Sequence, residues 1–62
     1  MTFRQIESII KADGWYRIKS NGGSHVQYKH PTKKGKVTIA YHSGATIPLG
    51  TINSILRQAG LK

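Results

Sequence analysis

Residues 20–30 read SNGGSHVQYKH, and this stretch decides the fold that the rest of the chain completes. Its Asn21-Gly22 pair is a strong signal for a tight turn between two antiparallel strands. After the turn, apolar and polar side chains alternate over residues 25–30, which predicts a strand with one buried and one exposed face. The residues that share the predicted buried face are Val26, Tyr28 and His30.

The residues on either side of this stretch alternate in the same way. Residues 15–19 form a predicted first strand, and residues 36–42 form a predicted third strand after a turn at residues 31–35. The apolar side chains predicted to face the core are Tyr16, Ile18, Val26, Tyr28, Val37, Ile39 and Tyr41. The side chains predicted to face outward are Trp15, Arg17, Lys19, His25, Gln27, Lys29, Lys36, Thr38, Ala40 and His42. The sheet is thus an antiparallel meander with one apolar face and one basic face.

Two predicted helices enclose the three strands. Thr2 and Gln5 form a capping-box pattern, and the apolar stripe that follows predicts a helix over residues 3–13. A second helix is predicted over residues 48–59, because Pro48 suits a first helical turn. The sheet offers a single apolar face, so both helices are expected to pack on it. The 62-residue chain is therefore predicted to be one α+β domain of order α-β-β-β-α, the order of the double-stranded RNA-binding domain.

The charge of the chain is large and unevenly distributed. Ten Lys and Arg against two Asp and Glu give a formal net charge of +8. Both acidic residues, Glu7 and Asp13, fall in the first predicted helix. Every charged side chain in residues 14–62 is therefore Lys or Arg. Such a surface indicates a nucleic acid, an anionic membrane surface or an acidic protein as partner. Paired-carboxylate catalysis and two-metal nuclease sites are excluded, so phosphodiester chemistry is predicted to need no metal or cofactor.

The composition also bears on where the protein works. The chain has no cysteine, which excludes disulfides and thiolate metal sites. It has no apolar run long enough for a membrane span or for the core of a secretory signal. These observations predict a cytoplasmic protein that is not held in a membrane.

Three histidines are the side chains suited to proton transfer near neutral pH. His30 shares the core-facing parity and is interpreted as structural, whereas His25 and His42 share the outer face. Residues directly opposite each other in a sheet face the same way, so His25 can lie opposite Ala40 or His42. If His25 lies opposite His42, the Cβ atoms of the two histidines would be about 4.5–5.5 Å apart. One could then accept the proton of an RNA 2′-hydroxyl while the other protonates the leaving 5′-oxygen.

The basic face also predicts phosphate contacts, and it leaves other functions open. The residues predicted to contact RNA are Arg17, Lys19, Lys29, Ser24 and Gly23. A non-catalytic RNA-binding module would use the same face, with its histidines as simple phosphate contacts. A DNA-binding protein is a third option, although the chain shows no basic recognition helix.

Several short motifs spread over nearly the whole chain occur together. They are Gly23-Ser24-His25, His30-Pro31, Val37-Thr38-Ile39, His42-Ser43-Gly44, Gly50-Thr51 and Ile55-Leu56-Arg57-Gln58-Ala59-Gly60-Leu61. In combination they resemble the HicA mRNA interferase toxins of bacterial and archaeal toxin–antitoxin modules.

The resemblance implies a fold like that of the double-stranded RNA-binding domain and ribosome-independent cleavage of mRNA, which inhibits translation. It also implies inhibition by a HicB antitoxin. The catalytic histidine of the family follows a glycine and a serine at the second strand, which implies that His25 is catalytic here. The role of His42 as a second acid or base rests on strand register alone.

Overall fold

The computed structural model describes residues 1–20, 25–41 and 46–62. Its elements, in chain order, are α1 (Phe3–Ala12), β1 (Tyr16–Ser20), β2 (His25–Lys29), β3 (Val37–Ala40) and α2 (Leu49–Gln58). The three strands form one antiparallel sheet of order β1-β2-β3. The predicted α+β class and α-β-β-β-α order, consistent with a fold like the double-stranded RNA-binding domain, are confirmed. The predicted turn at Asn21-Gly22 lies outside the described residues.

Both helices begin and end close to their predicted bounds. The Thr2 hydroxyl accepts a hydrogen bond from the Gln5 backbone at 3.3 Å, and the Gln5 side chain accepts one from the Thr2 backbone at 2.8 Å. This confirms the capping box, which satisfies two backbone N–H groups that a helix start otherwise leaves free. Pro48 immediately precedes α2, where its missing N–H costs no helical hydrogen bond.

The core lies between the sheet and the two helices. It contains Phe3, Ile6, Ile10, Trp15, Val26, Tyr28, Val37, Ile39, Ile47, Ile52, Ile55 and Ala59. Because buried residues of both helices join those of β2 and β3 in one cluster, the helices pack on the same face of the sheet. The Gln58 side chain of α2 also accepts a hydrogen bond from the Thr38 backbone at 3.2 Å, which ties that helix to the edge strand β3.

The predicted faces of residues 15–17, at the start of β1, are wrong. Trp15 is buried, with 2% of its surface exposed, whereas Tyr16 is 49% exposed. Arg17 lies opposite the buried Tyr28 and so faces the helices, and a β-bulge then shifts the register at Ile18. The physical reason is that Trp15, the largest apolar side chain available, fills the core and sets the parity of the strand after it. Tyr41 is also more exposed than predicted, at 51%.

The corner where α1 meets β1 requires a glycine. Gly14 has a φ of +110°, a conformation that side-chain-bearing residues rarely adopt. A Cβ atom at this position would lie 2.7 Å from Nε2 of His30. The glycine therefore lets the chain turn sharply while the His30 ring packs directly against its backbone.

In the part of the chain that the structure describes, no helix is long and apolar enough to cross a bilayer.

Candidate nucleic-acid interface

The face of the sheet that points away from the helices is open to solvent. This outer sheet face consists of Tyr16 from β1, His25, Gln27 and Lys29 from β2, and Thr38 and Ala40 from β3. Its members alternate with the buried residues of β2 and β3, so the pleat of the sheet places them on the opposite side from the helices. Among the described residues, no acidic side chain belongs to this face.

His25 opens β2 on the outer sheet face, and it is exposed. The register places it opposite Ala40, which is one of the two partners that its parity allowed. The hypothesis that His25 lies directly opposite His42 is therefore wrong. His42 lies outside the described residues, and its role as a second acid or base remains a prediction. Gly23 and Ser24 also lie outside them, so their predicted RNA contacts remain predictions.

Lys29 ends β2 on the same face as His25. The two residues are four positions apart along the strand, a separation of about 14 Å at roughly 3.4 Å per residue. Lys29 lies opposite Tyr16 in the register, and Lys19 lies opposite Gln27. Lys29 is exposed and pairs with neither Glu7 nor Asp13, so its charge remains available to an anion.

Arg17 lies on the helix side, and its predicted place on the outer sheet face is wrong. Its guanidinium donates a hydrogen bond to Oε2 of Glu7 at 2.5 Å, and it lies 6.0 Å from the centroid of the Phe3 ring. The hydrogen bond to Glu7 raises the pKa of Arg17, and burial opposes this only in part. The arginine thus neutralises a carboxylate on the helix side. Its contact with RNA remains a prediction that this position does not favour.

Glu7 is the charged centre of the helix side. Its side chain is only 13% exposed, and its Oε2 accepts hydrogen bonds from both the Tyr28 hydroxyl and Arg17. Burial raises the pKa of Glu7, but these two hydrogen bonds and the charges of Arg17 and Lys11 outweigh it, so the net pKa is lowered. Burial, followed by the hydrogen bond to Glu7, raises the pKa of Tyr28 far above its ordinary range.

His30 fills a structural corner, as its parity predicted. Its Nε2 lies 2.7 Å from the Asp13 carbonyl oxygen, while Nδ1 lies 3.0 Å from the backbone nitrogens of both Thr32 and Lys33. The tautomer protonated on Nε2 satisfies all three contacts. The ring also packs edge-on against Trp15, with ring centroids 5.2 Å apart. Both ring nitrogens are therefore occupied, which leaves this imidazole no free atom for a substrate.

The Asp13 carboxylate, close to His30, is paired with Lys33. Its Oδ2 accepts a hydrogen bond from Nζ of Lys33 at 2.5 Å, and that ammonium also reaches the Ala59 carbonyl at 3.0 Å. The hydrogen bond from Lys33 lowers the pKa of the Asp13 carboxyl. Both carboxylates of the chain are thus paired with cations in separate places. The residues that the structure describes contain no group of three or more His, Cys, Asp and Glu side chains that could hold a metal ion.

Tyr16 is the member of the outer sheet face that sequence reasoning missed. Strict alternation assigns it to the core, and only the burial of Trp15 reverses that assignment. The Gly14-Trp15 pair carried a usable signal, because a tryptophan directly after a helix-ending glycine is well placed to close the core. A bulge such as the one at Ile18 has no comparable mark in the sequence.

Comparisons with known proteins bear on what this surface does. A search of curated proteins finds no match. A family model described as the HicA toxin of bacterial toxin–antitoxin systems matches residues 3–61 of the 62-residue chain. The resemblance seen in the short motifs is thereby confirmed. The chain belongs to the HicA toxin family of bacterial toxin–antitoxin systems.

Proposed function

We propose that this protein is an endoribonuclease that cleaves mRNA without a metal ion and thereby inhibits translation, with His25 as its catalytic acid or base. The observation that carries the proposal is an exposed histidine on an open sheet face that carries Lys29 and no described acidic side chain, in a chain of the HicA family. A single RNA strand has room to cross such a face. The whole chain, residues 1–62, is proposed to act as one domain.

The proposed reaction uses the RNA's own 2′-hydroxyl as nucleophile. The 2′-oxygen attacks the adjacent phosphorus, the bond from phosphorus to the 5′-oxygen breaks, and a 2′,3′-cyclic phosphate and a 5′-hydroxyl result. One proton leaves the 2′-oxygen and one reaches the 5′-oxygen. His25 moves one of these protons, and His42 is proposed as the carrier of the other. DNA lacks the nucleophile and should not be cleaved.

The cations of the sheet are proposed to hold the RNA backbone. Lys29 lies about 14 Å from His25 along the strand, which is too far to touch the reacting phosphate, so it binds a phosphate further along. Lys19, opposite Gln27 in the register, is a second proposed backbone contact. Ser24 and Gly23 directly precede His25 in the sequence and are proposed to contact the reacting phosphate.

A protein inhibitor of the same site is also proposed. Family membership implies an antitoxin partner, and we infer that a HicB-type antitoxin fills this role. Because the chain has a formal net charge of +8 and the outer sheet face has no described acidic side chain, such an inhibitor would bring acidic residues to this face and exclude RNA.

The test is cleavage of an end-labelled single-stranded RNA in excess EDTA by the wild-type protein and by His25→Ala. General acid–base catalysis contributes roughly 10²- to 10⁴-fold, so we expect the variant to lose activity by that factor. The wild-type products should carry 2′,3′-cyclic phosphate ends. A matched RNA with a single 2′-deoxy nucleotide at the cleavage site should resist cleavage.

The controls separate the proposal from its alternative. Thermal melting should give the same midpoint for both proteins, because His25 is exposed and packs in no core cluster. Equal RNA binding by both proteins, with no cleavage by either, would contradict the proposal and make this a non-catalytic RNA-binding module. Activity that is lost in EDTA and restored by a divalent cation would contradict the metal-independent mechanism.

A further inference from the structure

Tyr16 is a large aromatic side chain on the outer sheet face that the core does not use. It is 49% exposed, although it stands beside Trp15, which is 2% exposed. The indole of Trp15 donates a hydrogen bond to the Ala59 carbonyl at 3.2 Å and so closes the core at this corner. Tyr16 is not part of the core cluster, and its ring lies on the outer sheet face beside Lys29.

The surroundings of Tyr16 favour a nucleic-acid base as the group that covers its ring. Lys29 lies directly opposite it, and directly opposed residues have Cβ atoms about 4.5–5.5 Å apart. A ring beside a lysine that pairs with neither Glu7 nor Asp13 matches a nucleotide, which offers a flat base and a charged phosphate at close range. Aromatic side chains on open sheet faces bind single-stranded RNA through this kind of stacking. The acid-free surface around the pair has the charge that RNA requires.

The distance from His25 gives the position of that base. Tyr16 lies beside Lys29, hence about 14 Å along the sheet from His25. Stacked nucleotides advance about 3.4 Å each along a strand, so the separation corresponds to no more than about four nucleotides, and fewer where the RNA is extended. A base on Tyr16 would therefore lie within about four nucleotides of the cleaved bond.

We propose that Tyr16 is an RNA-binding residue that stacks on one base, within about four nucleotides of the cleaved phosphate, while Lys29 holds the backbone beside it. This subsite rests on the proposed function, because it assumes that RNA crosses the outer sheet face. It adds a base-binding position to the backbone contacts that are proposed for the outer sheet face. A stack is tolerant of base identity, so the subsite anchors the strand more than it selects a sequence.

The first test compares Tyr16→Leu, Tyr16→Phe and Tyr16→Trp with the wild type. Binding is measured with an RNA made non-cleavable by 2′-O-methyl groups, and cleavage is measured with the unmodified RNA. Losing one stacked base should weaken binding about 5- to 100-fold in Tyr16→Leu, whereas Phe and Trp keep the stack. Stacking acts equally on bound substrate and transition state, so KM should rise in Tyr16→Leu while kcat is unchanged.

The matched control is Tyr41→Leu. Tyr41 is equally exposed, at 51%, but its ring packs edge-on against Phe3 of α1, with centroids 5.0 Å apart, on the helix side. Its replacement should leave RNA affinity unchanged. Thermal melting of every variant checks the fold, and Tyr16→Leu keeps a smaller apolar side chain at a half-exposed site.

A scan with abasic nucleotides locates the stacked base. Removing one base at a time should weaken wild-type binding at a position within about four nucleotides of the cleavage site. In Tyr16→Leu that same abasic position should have no further effect, because the partner of the base is already gone. An abasic penalty that persists in the variant would overturn the proposal.

The remaining outcomes are distinct from one another. Wild-type cleavage with an unchanged KM in Tyr16→Leu overturns the stacking subsite alone. RNA binding that depends on the Tyr16 ring, without cleavage by any protein, supports the subsite and overturns the nuclease. Equal RNA affinity of Leu and Tyr, combined with weaker antitoxin binding by Tyr16→Leu, overturns RNA stacking and assigns the ring to the protein partner.

Discussion

A histidine lies at each end of β2, and the two differ in solvent exposure and in hydrogen bonding. His25 begins the strand, exposed and on the outer sheet face. His30 follows the strand directly, with 8% of its side chain exposed and both ring nitrogens in hydrogen bonds. An imidazole contributes to catalysis only when a nitrogen is free to reach the substrate. Of the three histidines in this sequence, His30 is not a catalytic candidate, because packing and hydrogen bonds occupy its ring.

Replacing His30 should produce the largest loss of stability. His30→Ala removes a ring that packs on Trp15 and leaves the Asp13 carbonyl and two backbone N–H groups without their partner. We expect a loss of about 2–4 kcal/mol in the free energy of unfolding, measured by urea denaturation. RNA cleavage per folded molecule should be unchanged at a temperature well below the melting point. A stable variant that has lost cleavage would show that His30 acts in catalysis.

A methyl group at Gly14 should disturb the packing between Gly14 and the His30 ring. In Gly14→Ala the new Cβ would meet the His30 ring at 2.7 Å, and the φ of +110° is unfavourable for alanine. We expect a cost of about 1–3 kcal/mol in thermal or urea unfolding. Gly50→Ala is the matched control, because it lies in α2 with nothing within 4 Å and should gain up to about 1 kcal/mol. Equal effects of the two variants would contradict the crowded geometry at Gly14.

Glu7 should make stability depend on pH below about 4.5. Its folded pKa is lowered, so its contribution is complete above the unfolded pKa and is lost as pH falls through the folded pKa. Glu7→Gln should be less stable than the wild type near neutral pH and should lose less stability between about pH 6 and pH 3. Urea unfolding at a series of pH values measures this difference. Asp13, whose pKa is also lowered, supplies the acid sensitivity that the variant retains.

The smallest effect is expected at the Lys29 end of β2. Lys29→Ala should weaken RNA binding and reduce the slope of log affinity against log salt by about one, the change expected for one lost phosphate contact. Arg57→Ala removes the same charge from an exposed position on α2, on the helix side, and should leave the slope unchanged. Equal changes in both variants would mean that net charge, and not the outer sheet face, governs binding.

Most of the fold could be predicted from local patterns. Alternation in residues 25–30 assigned the faces of β2 correctly, because Val26 and Tyr28 are core residues and no bulge interrupts the strand. The capping box placed the start of α1. Both patterns are local. A local pattern predicts the structure correctly where tertiary packing in the core does not favour a different arrangement.

The faces of β1 could not be predicted in the same way. Tyr16 and Trp15 compete for one place in the core, and the choice depends on how tightly α1, α2 and the sheet close around the indole. The bulge at Ile18 then restores the parity of the strand's second half, with Lys19 opposite Gln27. Both events depend on tertiary packing, so the sequence-based prediction placed Arg17 on the outer sheet face and Tyr16 in the core. The place of His25 on the outer sheet face could be predicted because its strand is regular. Its catalytic role is a proposal that rests on the family.

The pairing of both carboxylates on the helix side has a kinetic consequence. Glu7 and Asp13 serve as internal counter-ions for Arg17 and Lys33, so neither weakens the field in front of the sheet. With a formal net charge of +8, the protein attracts a polyanion before any contact forms. Association should therefore be fast at low ionic strength and should slow as the Debye length shortens to about 8 Å near physiological salt. The positions of these two acidic side chains should therefore influence how fast the protein meets its proposed RNA substrate.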